Sequence, residues 1–262
     1  MSHHTVRRGV LCLLLFAAGC GGTRDVSPAN TANPDRFLYE RGQAALKERK
    51  WLDAREYFRQ VVDNYPGSPL RPDAKLALGD TYLGEKSAES LVSADNEYRE
   101  FLTFYPTHPR ADYAQFKLAM SFYEQMRPPD RDQTATRDTL QELQLFFTRY
   151  PNSPLMPEAR QRWREARDRL SDHNFEVGRL YFRMRVSDAG AASRFLEILK
   201  EDPEYTRRDG VYYYLAELFL RADNKPENKA QAIPYLKRLV TDFTVSEYLD
   251  GARKRLQELN AQ

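Results

Sequence analysis

A short phrase recurs along this chain at intervals that point to stacked units rather than one irregular core. Tyr65-Pro66-Gly67-Ser68-Pro69, Tyr105-Pro106-Thr107-His108-Pro109 and Tyr150-Pro151-Asn152-Ser153-Pro154 are spaced by 40 and then 45 residues. Asp202-Pro203 follows after 52, and Asp242-Phe243-Thr244 stands where a fifth phrase would fall. Periods of this length mark chains built from repeated supersecondary units. Between the phrases, apolar residues recur at helical spacing. Phe58, Val61, Val62 and Tyr65 form one stripe, Tyr98, Phe101, Leu102 and Tyr105 another, and Phe195, Ile198 and Leu199 a third. Proline lacks an N–H and clashes with the preceding turn, so each Pro-bearing phrase should end a helix. Ser68-Pro69 and Ser153-Pro154 are then expected to supply the N-cap and first turn of the next helix. No segment carries a strand signal.

The first unit fits the tetratricopeptide (TPR) pattern. Gly42 is followed by Ala54 twelve residues on, Phe58 sixteen on and Pro66 twenty-four on. Small residues let the two helices of a pair, A and B, approach closely, and the aromatic is expected to fill the gap to the next pair. A small residue with an aromatic three later marks helix A again at Gly79 and Tyr82, Ala119 and Phe122, Gly178 and Tyr181, and Ala216 and Phe219. Helix B recurs as Ala94, Tyr98 and Pro106, and as Ala191, Phe195 and Pro203. The third unit has Thr139 and Leu143 at those positions, and a polar insertion from Pro128 to Gln133. Glu158 to Leu170 reads as the start of one extended helix running toward Tyr181, and Lys225 to Asn228 as a loop. A polar final helix, Asp250 to Leu259, would cap the stack. The expected fold is an all-α, TPR-like α-solenoid of about five helix-turn-helix repeats.

The N-terminus reads as a targeting signal. Arg7 and Arg8 precede an apolar run from Gly9 to Ala18. That run is shorter than the roughly 20 residues a membrane-spanning helix needs. It ends Ala17-Ala18-Gly19-Cys20, which resembles a bacterial lipobox whose Cys is acylated and becomes the first mature residue. Gly21 rather than Asp follows, which favours outer-membrane sorting. Residues 21 to 34 are polar and small, as a flexible tether would be. The expected organisation is therefore a signal peptide over 1–19, lipidated Cys20 with its tether over 20–34, repeats 1–3 over 35–155, and repeats 4–5 with a capping helix over 156–262. Loss of Arg7 and Arg8 with the signal leaves 38 basic and 38 acidic residues. Such balance gives no reason to expect nucleic acid or an anionic membrane surface as partner. Cys12 leaves with the signal and Cys20 carries lipid, so no disulfide is expected.

Catalytic chemistry has no visible basis. His108 and His173 are far apart and lack a Cys partner for zinc. Asp130 and Asp132 open a Ca-loop spacing, but Ala135 and Gln141 stand where Gly and Glu are needed. The chain carries no Gly-x-Ser-x-Gly, P-loop or His-Glu-x-x-His. No enzyme activity, metal or cofactor is expected. Binding is expected instead on the concave surface that stacked A helices line. Counted from the small residue of each unit, the inward positions are Tyr39, Gln43 and Leu46, then Leu76, Asp80 and Leu83, then Phe116, Met120 and Tyr123. Tyr113 shares that face one turn earlier. Aromatic rings beside polar groups suit an extended peptide with apolar side chains.

The lipobox, the tether and the five irregular units together resemble the BamD family of outer-membrane β-barrel assembly lipoproteins. The most specific points are Pro106-Thr107-His108-Pro109 with Asp112-Tyr113, Asp130-Arg131-Asp132-Gln133, Tyr150-Pro151-Asn152-Ser153 and Ala191-Ala192-Ser193-Arg194-Phe195. Asp202-Pro203 in place of Tyr-Pro, and Thr244 in place of Pro, depart from the pattern. The resemblance implies that the N-terminal repeats receive unfolded outer-membrane proteins with aromatic-ended signals. It also implies that the C-terminal repeats dock on the POTRA region of BamA beside other BAM lipoproteins, with Arg194 as the docking Arg. A different periplasmic TPR lipoprotein, such as a pilus-secretin pilotin or an envelope coordinating factor, would more naturally show regular 34-residue repeats.

Overall fold

The structure is a computed structural model that describes residues 31–222 and 226–260. The signal peptide, Cys20 and most of the tether lie outside the described residues. Among the described residues eleven helices follow one another in the order α1 (Pro34–Lys47), α2 (Trp51–Asn64), α3 (Arg71–Glu85), α4 (Ala88–Phe104), α5 (Ala111–Glu124), α6 (Thr134–Arg149), α7 (Met156–Met184), α8 (Asp188–Glu201), α9 (Arg208–Ala222), α10 (Pro226–Asp242) and α11 (Leu249–Glu258). Each packs chiefly on its neighbours in sequence, giving five A/B pairs and a terminal cap. Among the described residues no helix is long and apolar enough to cross a membrane.

Three of the five pairs close on a ring seated against a glycine. A Cβ added to Gly42 would lie 2.6 Å from the Phe58 ring, one at Gly79 2.7 Å from Tyr98, and one at Gly178 2.8 Å from Phe195. All three rings are fully buried. Sequence reasoning placed the aromatic in the gap to the next pair; the structure seats it on the glycine of its own pair. Phe175 does bridge forward, meeting Gly210 of the following A helix.

The recurring phrase works differently from expectation. Tyr65, Tyr105, Tyr150 and Asp202 share one backbone conformation, with φ between −127° and −138° and ψ between 52° and 72°. A residue before proline is barred from the helical region, so each B helix stops at the same angle. Ser68 and Ser153 do not cap the next helix: Leu70 and Leu155 are the N-cap residues, and Pro72 and Pro157 occupy the first turn. Instead each serine Oγ accepts from the N–H two residues on and donates to an aspartate in the previous A helix. Ser68 reaches Asp35 at 2.5 Å, Ser153 reaches Asp112 at 2.6 Å, and Ser246 repeats the bond to Asp209 at 2.6 Å. At the second junction Arg110 takes the serine's place, 3.0 Å from Asp73. The fifth unit thus keeps the inter-repeat bond although Thr244 replaces proline. Asp202, the departure in the fourth unit, is buried and accepts from Ser171 at 2.7 Å and from Arg164. Pro226, Glu227 and Asn228, expected in a loop, open α10; Lys225 lies outside the described residues.

One half-buried carboxylate lies at a cost. Asp95 of α4 accepts from Ser121 of α5, with Arg99, Glu142 and Asp138 as its charged neighbours. Burial pushes its pKa up to about 6 from an ordinary 3.8. A folded-state pKa above the unfolded one means that stability is fully present below the unfolded value and falls as pH rises through 6.

Three substitutions follow. Gly79→Ala drives a methyl into the Tyr98 ring, which Asp80 holds by its hydroxyl, and should cost ~1–3 kcal/mol in urea unfolding. Gly67→Ala, with no neighbour within 4 Å of the added carbon, should change stability by less than ~0.5 kcal/mol. Asp95→Asn should stabilise the protein at pH 7 by ~1 kcal/mol, since partial exposure reduces the ~3 kcal/mol of the full shift. That gain should vanish when urea midpoints are compared below pH ~4.

Candidate functional site

The A helices α1, α3, α5 and α7 line the inner face of the N-terminal half, and a groove of about 470 Å³ opens there. Leu46 enters from α1, Asp80 and Leu83 from α3, Tyr113, Phe116, Lys117, Met120 and Tyr123 from α5, and Glu158 and Arg162 from α7. The floor is apolar: Leu83, Phe116 and Met120 each keep less than a tenth of their surface. The rim is charged. Lys86 pairs with Glu124 at 2.8 Å, and Arg162 with Glu165 at 3.0 Å.

The polar groups inside are already committed. Asp80 Oδ1 accepts from the Tyr98 hydroxyl at 2.7 Å and from the Tyr113 hydroxyl at 2.9 Å. Burial raises the Asp80 carboxyl above its ordinary range, against the opposing pull of Tyr98, Lys117, Tyr113 and Arg110. Burial likewise raises the Tyr113 hydroxyl, with Asp80 adding to the effect. Arg110 and Lys117 lie over the Tyr113 ring, 4.6 and 5.3 Å from its centroid. Tyr123 donates to Glu165 at 2.5 Å and lies under Arg162. With both tyrosine hydroxyls engaged, what remains for a ligand is ring faces, an apolar floor and the rim charges. Such a surface grips a side chain or a short peptide. Among the described residues no group of His, Cys, Asp and Glu could hold a metal ion.

Of the ten residues expected here from sequence, Leu46, Asp80, Leu83, Tyr113, Phe116, Met120 and Tyr123 meet in this groove. Tyr39 lines a separate hollow near the start of α1, with Asp35, Arg36, Glu40, Pro69 and Leu70. Gln43 is half-buried beside it. Leu76 is a correction: it is fully buried within the core of α3, α4 and α5 and offers no surface to a ligand. The inward rule places the position three before the small residue at the edge of the helix–helix contact, and on α3 that edge is covered. Lys117, Glu158 and Arg162 were missed. The first half of α7 has few apolar residues, and its lining role depends on its continuity with the fourth A helix. Arg194 on α8 is half-exposed, donates to Asn174 Oδ1 on α7 at 3.0 Å and lies 3.8 Å from Glu197.

Residues 31–217 match the family model YfiO, described as outer membrane lipoprotein. The outer membrane protein assembly factor BamD of Caulobacter vibrioides is 29% identical over 81% of this chain and 68% of its own length. That of Vibrio cholerae is 27% identical over 75% of this chain and 82% of its own. Among solved structures, a tetratricopeptide repeat protein from Parabacteroides merdae is 13% identical, with a TM-score of 0.36 over 87% of this chain and 74% of its own. The family match over most of the sequence and the agreement with these relatives place the chain plainly: it belongs to the BamD (YfiO) family of outer membrane lipoproteins.

Proposed function

We propose that this chain is an outer membrane protein assembly factor, held at the periplasmic face of the outer membrane by acylated Cys20. Its groove receives unfolded outer-membrane proteins, and its C-terminal repeats dock on BamA. The relatives' shared name supports the assembly role. The observation that carries the groove reading is the meeting of Asp80, Tyr113, Phe116, Met120 and Tyr123, from two A helices, over an apolar floor. A client side chain that is aromatic would sit on Phe116 and Met120, between the rings of Tyr113 and Tyr123. Lys117 would stand at the mouth as the nearest cation for a client carboxylate. The second half of the reading rests on Arg194, whose fork is half-exposed and lightly held, free to exchange its Asn174 bond for a partner carboxylate.

The two halves are separable by experiment. Lys117→Ala with Tyr123→Ala should weaken an aromatic-ended outer-membrane protein peptide by about tenfold in fluorescence anisotropy. Recovery of a BamA-like barrel protein with the detergent-solubilised lipoprotein should stay unchanged. Arg194→Ala should do the reverse, reducing that recovery and leaving peptide affinity intact. Unchanged peptide affinity in the groove variant removes the groove from the reading. A secretin recovered in place of BamA favours the pilotin alternative.

A further inference from the structure

Helix α7 is far longer than its neighbours, and its two halves are covered differently. In its first half, Met156, Ala159 and Trp163 pack into the core that holds Leu143 and Phe146 of α6. That cover ends near His173. Arg169 donates to the Arg127 carbonyl at 2.9 Å, and His173 Nδ1 lies 2.5 Å from the Pro129 carbonyl, so the loop between α5 and α6 turns there. The same row continues along α7 at helical spacing: Ala166, Leu170, His173, Val177, Leu180, Met184. The core face of this half is a different one, where Phe175, Gly178 and Phe182 meet α8 and α9.

Past His173 the row is apolar and open. Leu180 keeps 51% of its surface exposed, Met184 66% and the following Val186 65%. Single exposed apolar residues need no explanation, but a row continuous with a helix-packing face does. Its flank is basic. Arg183 and Arg185 are exposed, and neither has a carboxylate within ion-pair distance among the described residues. The neighbouring Arg179 is already paired with Glu176 at 2.6 Å.

We propose that Val177, Leu180, Met184 and Val186 form a docking face for an amphipathic helix of a protein partner, whose apolar row is flanked by carboxylates. The occupant is a helix because the face prolongs the one that already takes α6, and side-chain ridges of that geometry seat a further helix end to end with it. It is acidic because Arg183 and Arg185 are the unpaired charges beside the row. The helical part of the face is about 10 Å long from Val177 to Met184, or about two turns of the partner, and Val186 extends it past the helix end. It is separate from the groove, which α7 lines only through Glu158 and Arg162 of its first half, and Leu180 lies about a third of a turn around α7 from Asn174, where Arg194 attaches.

The test uses the whole lipoprotein and two synthetic helical peptides with the same leucine row, one flanked by Glu and one by Lys. Fluorescence anisotropy should show the Glu peptide binding at least about tenfold tighter, with affinity falling as salt rises. Leu180→Glu with Met184→Glu should abolish binding, and its melting curve should match wild type because both side chains are exposed. Arg183→Glu with Arg185→Glu should reverse the preference to the Lys peptide. Equal binding of the two peptides, or binding indifferent to both variants, overturns the proposal. So does a dimer in sedimentation that Leu180→Glu with Met184→Glu dissolves, since the occupant is then a second copy. Binding to vesicles of phosphatidylethanolamine and phosphatidylglycerol through these residues, with no peptide discrimination, overturns it in favour of a lipid surface.

Discussion

The contact on which the stack depends is a ring filling the place of a glycine's missing side chain. At Gly42, Gly79 and Gly178 an added carbon would fall within 2.8 Å of Phe58, Tyr98 or Phe195, well inside van der Waals distance. Glycine costs roughly 1 kcal/mol against alanine in a helix interior, so three of them in A helices are a sacrifice that needs a return. The return is closeness. Two helix axes approach, a whole aromatic side chain leaves water, and burial of that size is worth a few kcal/mol. The same ring fixes the angle between helices A and B, and that angle sets where the A helices stand on the inner face. The groove inherits its geometry from this contact. Tyr98 makes the link explicit: its ring lies on Gly79 while its hydroxyl orients Asp80, one residue on and at the groove wall.

A solenoid whose described residues contain no cysteine must also fix the angle between successive pairs, and here polar bonds do that. Ser68 to Asp35, Arg110 to Asp73, Ser153 to Asp112 and Ser246 to Asp209 each tie the turn before one A helix to the first turn of the previous one. The aspartates sit where a helix N-terminus favours negative charge, so each bond is electrostatically supported on both sides. At the fourth junction the pattern changes to Asp202 with Ser171 and Arg164. A buried carboxylate there demands its Arg, because a lone buried charge would be strongly destabilising.

Much of this was legible in the sequence, and the reason is periodicity. A Pro-bearing phrase, a small residue and an aromatic at fixed offsets are local signals, and they located the five pairs and the long α7. The misreadings share a cause, which is that they concern partners distant in sequence. Ser68 has the form of an N-cap, and only the folded stack shows that its acceptor is Asp35, thirty-three residues back. Leu76 obeys the inward spacing, and only packing shows that α4 and α5 cover it. Lys117 and Arg162 carry no motif, and they enter the groove because α5 and α7 cross there.

The long α7 has a mechanical consequence. Ordinary solenoid units meet through loops, and small changes at each loop let the superhelix flex. Here one helix of 29 residues, about 43 Å of continuous backbone hydrogen bonding, packs on α6 through its first half and on α8 through its second, and so runs across two units. Arg162 at the groove rim and Asn174 beneath Arg194 belong to that same helix, about 18 Å apart along its axis. Bending between them would break backbone bonds rather than re-pack a turn. A client held in the groove and a partner docked at Arg194 would therefore be kept at a set separation and orientation. Coupling of the two through a conformational switch would need a second arrangement of α7, and an unbroken helix with neither Gly nor Pro between Arg162 and Asn174 offers none. In this reading the chain contributes to assembly by positioning, as a rigid spacer that presents one protein to another.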